Sequence, residues 1–165
     1  MATTYEPIAT TTLAATNSTI TFSSIPATYT DLRLIVTGTA TAALTPRIRF
    51  NGDTATNYSY TVLYGDGTSA LSTRGANTAF ISGTYNTGWS STIPAFLTVD
   101  VFSYAGSTYK TTLNTVSIDL NGSGSVERLV GLWRSTSAIT SMTLVTSTST
   151  FAIGTTATLY GILKA

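Results

Sequence analysis

The chain has 165 residues, a net charge of +1 and only 9% charged side chains against 42% hydrophobic ones; soluble proteins average roughly 25% charged. The eight basic residues are scattered from Arg33 to Lys164 with no stripe to neutralise successive phosphates, which argues against nucleic-acid binding. There is no cysteine and no histidine, so disulfides, thiolate chemistry, Ser-His or Cys-His pairs and His- or Cys-based zinc clusters are all excluded.

A chain of this length makes one domain that buries roughly two-thirds of its unfolded surface. We therefore expect a single domain over residues 1–165. The start, MATTYEPIATTTL, has neither the basic region nor the apolar run of a secretion signal. It alternates little, and residues 1–13 read either as an arm reaching to a neighbouring molecule or as an ordinary first strand. No apolar run is long enough to span a bilayer as a helix.

Period-two alternation then recurs, with turn residues between the segments. STITFS sets Ile20 and Phe22 against hydroxyls. DLRLIVTG places Leu32, Leu34 and Val36 on one face and Arg33, Ile35 and Thr37 on the other. PRIRFNGD opposes Ile48 and Phe50 to Arg47 and Arg49, then meets Asn51-Gly52, a tight-turn dipeptide that suggests a hairpin. NYSYTVLYGDG puts Tyr58, Tyr60, Val62 and Tyr64 together. Residues 69–92 alternate poorly and read as long loops around one edge strand, TAFIS. The segments PAFLTVDVFSY, YKTTLNTVSIDLNG, ERLVGLW, SMTLVTS and ATLYGILK resume the pattern, with SAIT a candidate helical turn. Eight to ten short strands at this spacing predict an all-β fold, a single-domain β-sandwich with jelly-roll-like topology. Thr and Ser should line the outward faces, since Thr is β-branched and suits a half-exposed pleat.

Site chemistry is sparse. Asp100 and Asp119 could meet on paired strands as a glycosidase-like couple, but two separate solvent-facing carboxylates explain them better. Asn51, Asp53 and Asn57 offer oxygen ligands without the further acids of a calcium loop. Gly65-Asp66-Gly67 and Gly122 to Ser125 read as turns, since no Lys-Ser/Thr pair and helix follow them. No metal, cofactor or catalytic residue is expected. Trp133 follows an apolar strand and reads as core. Tyr85 and Trp89 sit in the loop-like SGTYNTGWSST. They are the candidate partner-contact residues; the alternative is a loop that folds Trp89 back over the core.

Five segments (YEPIATTTL, ITFSSIPATYTDLRLIV, RFNGDTATNYSYTVLYGDG, GLWRSTSAITSMTL and ATLYGILKA) together resemble small Ser/Thr-rich virion structural proteins of tailed bacteriophages, especially those of aquatic bacteria. The resemblance covers nearly the whole chain and brings no catalytic motif with it. It implies a non-enzymatic protein, either a capsid decoration (cement) protein or a tail-fibre or receptor-binding domain that recognises host glycans. The compact domain without a shaft favours the first. The expected partners are then the major capsid protein and further copies of this chain, as a homo-oligomer, in the manner of trimeric decoration proteins on the outer surface of the head.

Overall fold

A computed structural model describes residues 4–163. Among them are twelve strands: β1 (Tyr5–Thr12), β2 (Thr19–Phe22), β3 (Asp31–Gly38), β4 (Pro46–Phe50), β5 (Tyr58–Gly65), β6 (Ala70–Thr78), β7 (Ile81–Ser82), β8 (Ala95–Phe102), β9 (Lys110–Ile118), β10 (Ser125–Trp133), β11 (Met142–Thr146) and β12 (Thr156–Ile162). They form two antiparallel sheets, one of eight strands in the order β1-β12-β3-β8-β9-β10-β5-β6 and one of four in the order β2-β11-β4-β7. The chain passes repeatedly from one sheet to the other, so the fold is an all-β sandwich with jelly-roll-like routing.

The strict alternation along β3, β8 and β9 drives the packing. Leu32, Leu34 and Val36 of β3, and Leu97, Val99 and Val101 of β8, are fully buried. They meet Ile48, Phe50, Met142 and Leu144 of the small sheet in one core. Each such side chain contributes about 1.5–3 kcal/mol by leaving water. Phe50, Tyr58 and Trp133 form an aromatic group inside, with Tyr58 and Trp133 stacked at 6.3 Å. Trp133 is therefore a core residue, as its place after an apolar strand suggested.

The outer surfaces carry the expected hydroxyls, and several pair across strands. Thr10 meets Thr158 at 3.0 Å, Thr12 meets Thr156 at 3.0 Å and Thr21 meets Thr143 at 3.2 Å. Such cross-strand pairs stabilise a sheet by a few tenths of a kcal/mol to about 1 kcal/mol each.

Four local expectations need correction or completion. Tyr5–Thr12 of the 1–13 segment is an ordinary edge strand paired with β12, and Met1 to Thr3 lie outside the described residues. Residues 69–92 contain β6, a full edge strand, besides the short β7 within TAFIS. Both faces of β6 are largely exposed, so it has no apolar alternation to betray it. SAIT is irregular rather than helical. Asn51-Gly52 is a tight turn with φ of 51° and 68°, closed by Asp53 N–H donating to Phe50 O at 2.9 Å. It does not close a hairpin: it sends the chain from β4 in the small sheet to β5 in the large one. The Asn51 carboxamide explains the residue choice. Its oxygen accepts Thr140 N–H at 2.8 Å and Ser141 N–H at 3.1 Å, while its nitrogen donates to Ala138 O at 2.8 Å. Asn tolerates the left-handed region and offers both polarities.

Candidate interaction surface

The outer face of the eight-stranded sheet carries several exposed apolar side chains among its hydroxyls. The strand β10 decides this. Its inward side chains are Ser125, Glu127, Leu129 and Trp133, so Val126 and Val130 point out, 66% and 51% exposed. Leu63 on β5 is 59% exposed, and Phe96 and Phe102 on β8 are also exposed. Ladder register places these side chains in rows. Gly65, Val126, Ser117 and Phe96 form one row, and Thr61, Val130, Leu113 and Asp100 form another. Leu63 lies between them, opposite Arg128. Isolated exposed apolar residues are ordinary, and several on one face make it a candidate interaction surface.

Charge on this face is sparse and partly cancelled. Arg33 forks onto Asp100, with Nε at 2.5 Å from Oδ1 and Nη2 at 3.0 Å from Oδ2. Tyr5 accepts a third bond from Arg33 at 3.1 Å. The pair holds the Arg33 guanidinium above its ordinary pKa, chiefly through the hydrogen bonds to Asp100. Arg128 donates to Thr115 Oγ1 at 2.5 Å. Asp119 follows β9, six positions beyond Leu113, the residue opposite Asp100. That spacing separates the two carboxylates by roughly 20 Å along the strand, so they form no catalytic couple.

Beside the Phe96 row lies a cleft of about 500 Å³. It sits between the turn after β5 and the turn before β10, and its lining includes Asp66, Phe96, Asp119 and Val126. A smaller hollow of about 240 Å³ lies on the same sheet between Ser59, Arg74 and Val130.

Tyr85 and Trp89 part company. Trp89 is fully buried, edge-on to Phe151 at 5.7 Å, and its backbone bridges to Leu44. It presents nothing to a partner, and the loop has folded it back over the core. Tyr85 is 46% exposed and leans on Tyr64 at 5.9 Å.

The loop that carries Tyr85 is held by a residue the alternation did not single out. Glu127 is fully buried. One carboxylate oxygen accepts Tyr85 N–H at 2.6 Å. The other accepts Asn86 N–H, Thr87 N–H, the Thr84 hydroxyl and the Ser125 hydroxyl at 2.9–3.1 Å. A buried carboxylate is tolerated only when so fully hydrogen-bonded. Every bond goes to a backbone amide or a hydroxyl of the fold, so Glu127 is a structural clamp.

Two further polar groups of the interior, Asp53 and Lys110, are likewise committed. Burial pushes the Asp53 carboxyl up, but Trp133 Nε1–H at 2.7 Å, Asn57 at 3.0 Å and Ala55 N–H at 2.9 Å outweigh it and leave it below the ordinary range. Asp53 and Asn57 therefore build a turn under Trp133, and no calcium site follows from them. Lys110 is buried with its ammonium on the carbonyls of Gly106 and Thr108, and burial lowers its pKa. Among the described residues, no group of three or more acidic side chains is placed to hold a metal ion.

Sandwich and surface together define an all-β protein with several apolar side chains exposed on one sheet face. No protein-family model and no curated protein matches the chain. Among solved structures, galectin LEC-6 of Caenorhabditis elegans is similar at 11% identity, over 94% of this chain and 96% of that one, with a TM-score of 0.39.

Proposed function

We propose that the protein is a non-enzymatic structural component of a phage virion, a decoration protein that binds the major capsid protein on the outside of the head as a homo-oligomer, in a trimeric arrangement. The observation that carries this reading is the outer face of the large sheet, where Leu63, Phe96, Val126 and Val130 stand exposed among hydroxyls with little unpaired charge. Such a face packs against protein chiefly through apolar contact, so the greater part of the attachment tolerates salt. Several weak copies on one oligomer add through effective concentration.

The segments that resemble phage virion proteins fall on β1, on β2 with β3, on β4 with β5, on β10 with β11, and on β12. They are the strands and joints of the sandwich itself. The competing reading, a receptor-binding domain for glycans, rests on Trp89, Tyr85 and other loop aromatics; Trp89 is buried, while Tyr85 and Tyr109 stay exposed.

Particles assembled without this protein test the reading, together with light scattering of the isolated protein for its oligomeric state. Heads lacking it should fail under heat or low salt sooner than complete ones. Heads of undiminished robustness that no longer adsorb to host cells overturn it in favour of receptor binding.

A further inference from the structure

We propose that the cleft between the Asp66 turn and the Asp119 turn seats a lysine or arginine side chain of the partner protein. The proposal rests on the reading of this sheet face as a partner surface and names the chemistry recognised there.

The cleft, about 500 Å³, has apolar walls from Ile93, Phe96 and Val126. Lysine and arginine lay their aliphatic stems along such walls and keep the charged head at a polar rim. Here the rim is acidic. Asp66 Oδ1 is occupied by Thr68 N–H at 2.9 Å, the Thr68 hydroxyl at 2.8 Å and Ser69 N–H at 2.8 Å. Asp119 Oδ1 is occupied by Gly122 N–H at 2.9 Å. The second oxygen of each carboxylate accepts no hydrogen bond among the described residues. The turn donors also keep Asp66 ionised, with its pKa lowered to about 2 by Thr68 and Ser69.

No lysine or arginine lines the cleft. Its side-chain donors are few: Ser125 gives its hydroxyl proton to Glu127, which leaves Ser117. This imbalance selects the ligand. A sugar hydroxyl both donates and accepts, so a sugar needs both kinds of partner. Ammonium and guanidinium groups carry donors only. An acceptor-rich rim above an aromatic wall suits them, and a cation close to the Phe96 ring gains further.

The test is a titration of the ¹⁵N-labelled protein, followed by NMR, with Nα-acetyl-lysine methylamide and its arginine counterpart. The norleucine analogue serves as the uncharged isostere, and glucose and galactose as sugar probes. The cationic compounds should shift the backbone amides of residues 65–69 and 119–124, and high salt should weaken them. Asp66→Asn and Asp119→Asn should each weaken binding about two- to fivefold, the range of an exposed ion pair. Shifts at the cleft with norleucine equal to those with lysine, shifts with a sugar instead, or no shift there with either cation each overturn the proposal. The lysine–norleucine comparison uses the unaltered protein, so it stands even if a variant misfolds. Because the isolated protein is used, a failure here is distinct from unaltered robustness of particles lacking it.

Discussion

Glu127 accepts the backbone amide of Tyr85 at 2.6 Å across a sequence separation of 42 residues. The bond runs from a buried strand residue to a loop residue whose side chain is exposed. The 84–87 loop is thus held from the sheet as well as by its own Thr84 hydroxyl.

Replacing Glu127 with Ala removes the acceptor of three backbone N–H groups and of the Ser125 hydroxyl, while the Thr84 hydroxyl still reaches Thr87 O. The expected loss is about 3 kcal/mol or more, read from the urea midpoint. Glu127→Gln keeps one acceptor but turns an amide donor toward other donors, and should fall between Ala and the native residue. Hydrogen exchange at residues 85–87 should accelerate in both variants; unchanged exchange there with normal stability would refute the clamp.

Alkaline unfolding has a named contributor. Burial raises the Tyr58 phenol from 10.0 to about 12. The folded value is the higher one, so the stabilisation is fully present below pH 10 and is lost as pH rises toward 12. Each pH unit in that window removes about 1.4 kcal/mol. Tyr58→Phe should be less stable at neutral pH, because the hydroxyl accepts Phe50 N–H at 3.0 Å. Its stability should also fall less steeply than that of the native protein across the window. Parallel slopes in the two proteins would rule Tyr58 out as the source.

Gly161 lies directly under the ring of Tyr29, and a Cβ there would overlap the ring atoms. Gly161→Ala must push Tyr29 away and disturb its bond to Glu6, 3.2 Å long. Overpacking of this kind costs about 1–3 kcal/mol, visible as a lower thermal midpoint. Tyr29→Ala in the same background should recover part of the loss, and the absence of recovery would place the strain elsewhere.

Val130→Asp separates folding from attachment. The side chain is 51% exposed and points away from the core. Stability should change by no more than about 0.5–1 kcal/mol; if the protein decorates heads as proposed, binding to them drops in a co-sedimentation assay. Retained binding would exclude this part of the face from the contact.

The two strands that frame these experiments show how far alternation can be read. In DLRLIVTG the buried set is uniformly aliphatic and the outward set includes Arg33 and Thr37, so the phase of β3 is plain. In SVERLVGLW both sets are mixed: Glu127 and Leu129 fall on one, Val126 and Arg128 on the other. Chemistry alone favours Glu out and Val in. The fold does the reverse, because Leu129 and Trp133 must join the core and the strand period carries Glu127 in with them. The exposed face and the clamp were hidden by the same ambiguity. Trp89 was open for a different reason: a loop leaves no period to say which way its side chain turns. The cleft arises from two turns far apart in sequence, and only the sheet order brings Asp66 and Asp119 to one place.

The position of β12 bears on synthesis. It lies between β1 and β3, so the first strand finds its partner only in the last one. While the ribosome is still at work, β1 has nothing to pair with and β3 keeps an open edge. Pairings of such long sequence separation form late and slowly, and unpaired strand edges invite association between unfinished chains. A chain cut short before Thr156 would leave both edges open for good, and so expose itself to proteolysis or aggregation. Closure of the eight-stranded sheet thus waits on synthesis through β12.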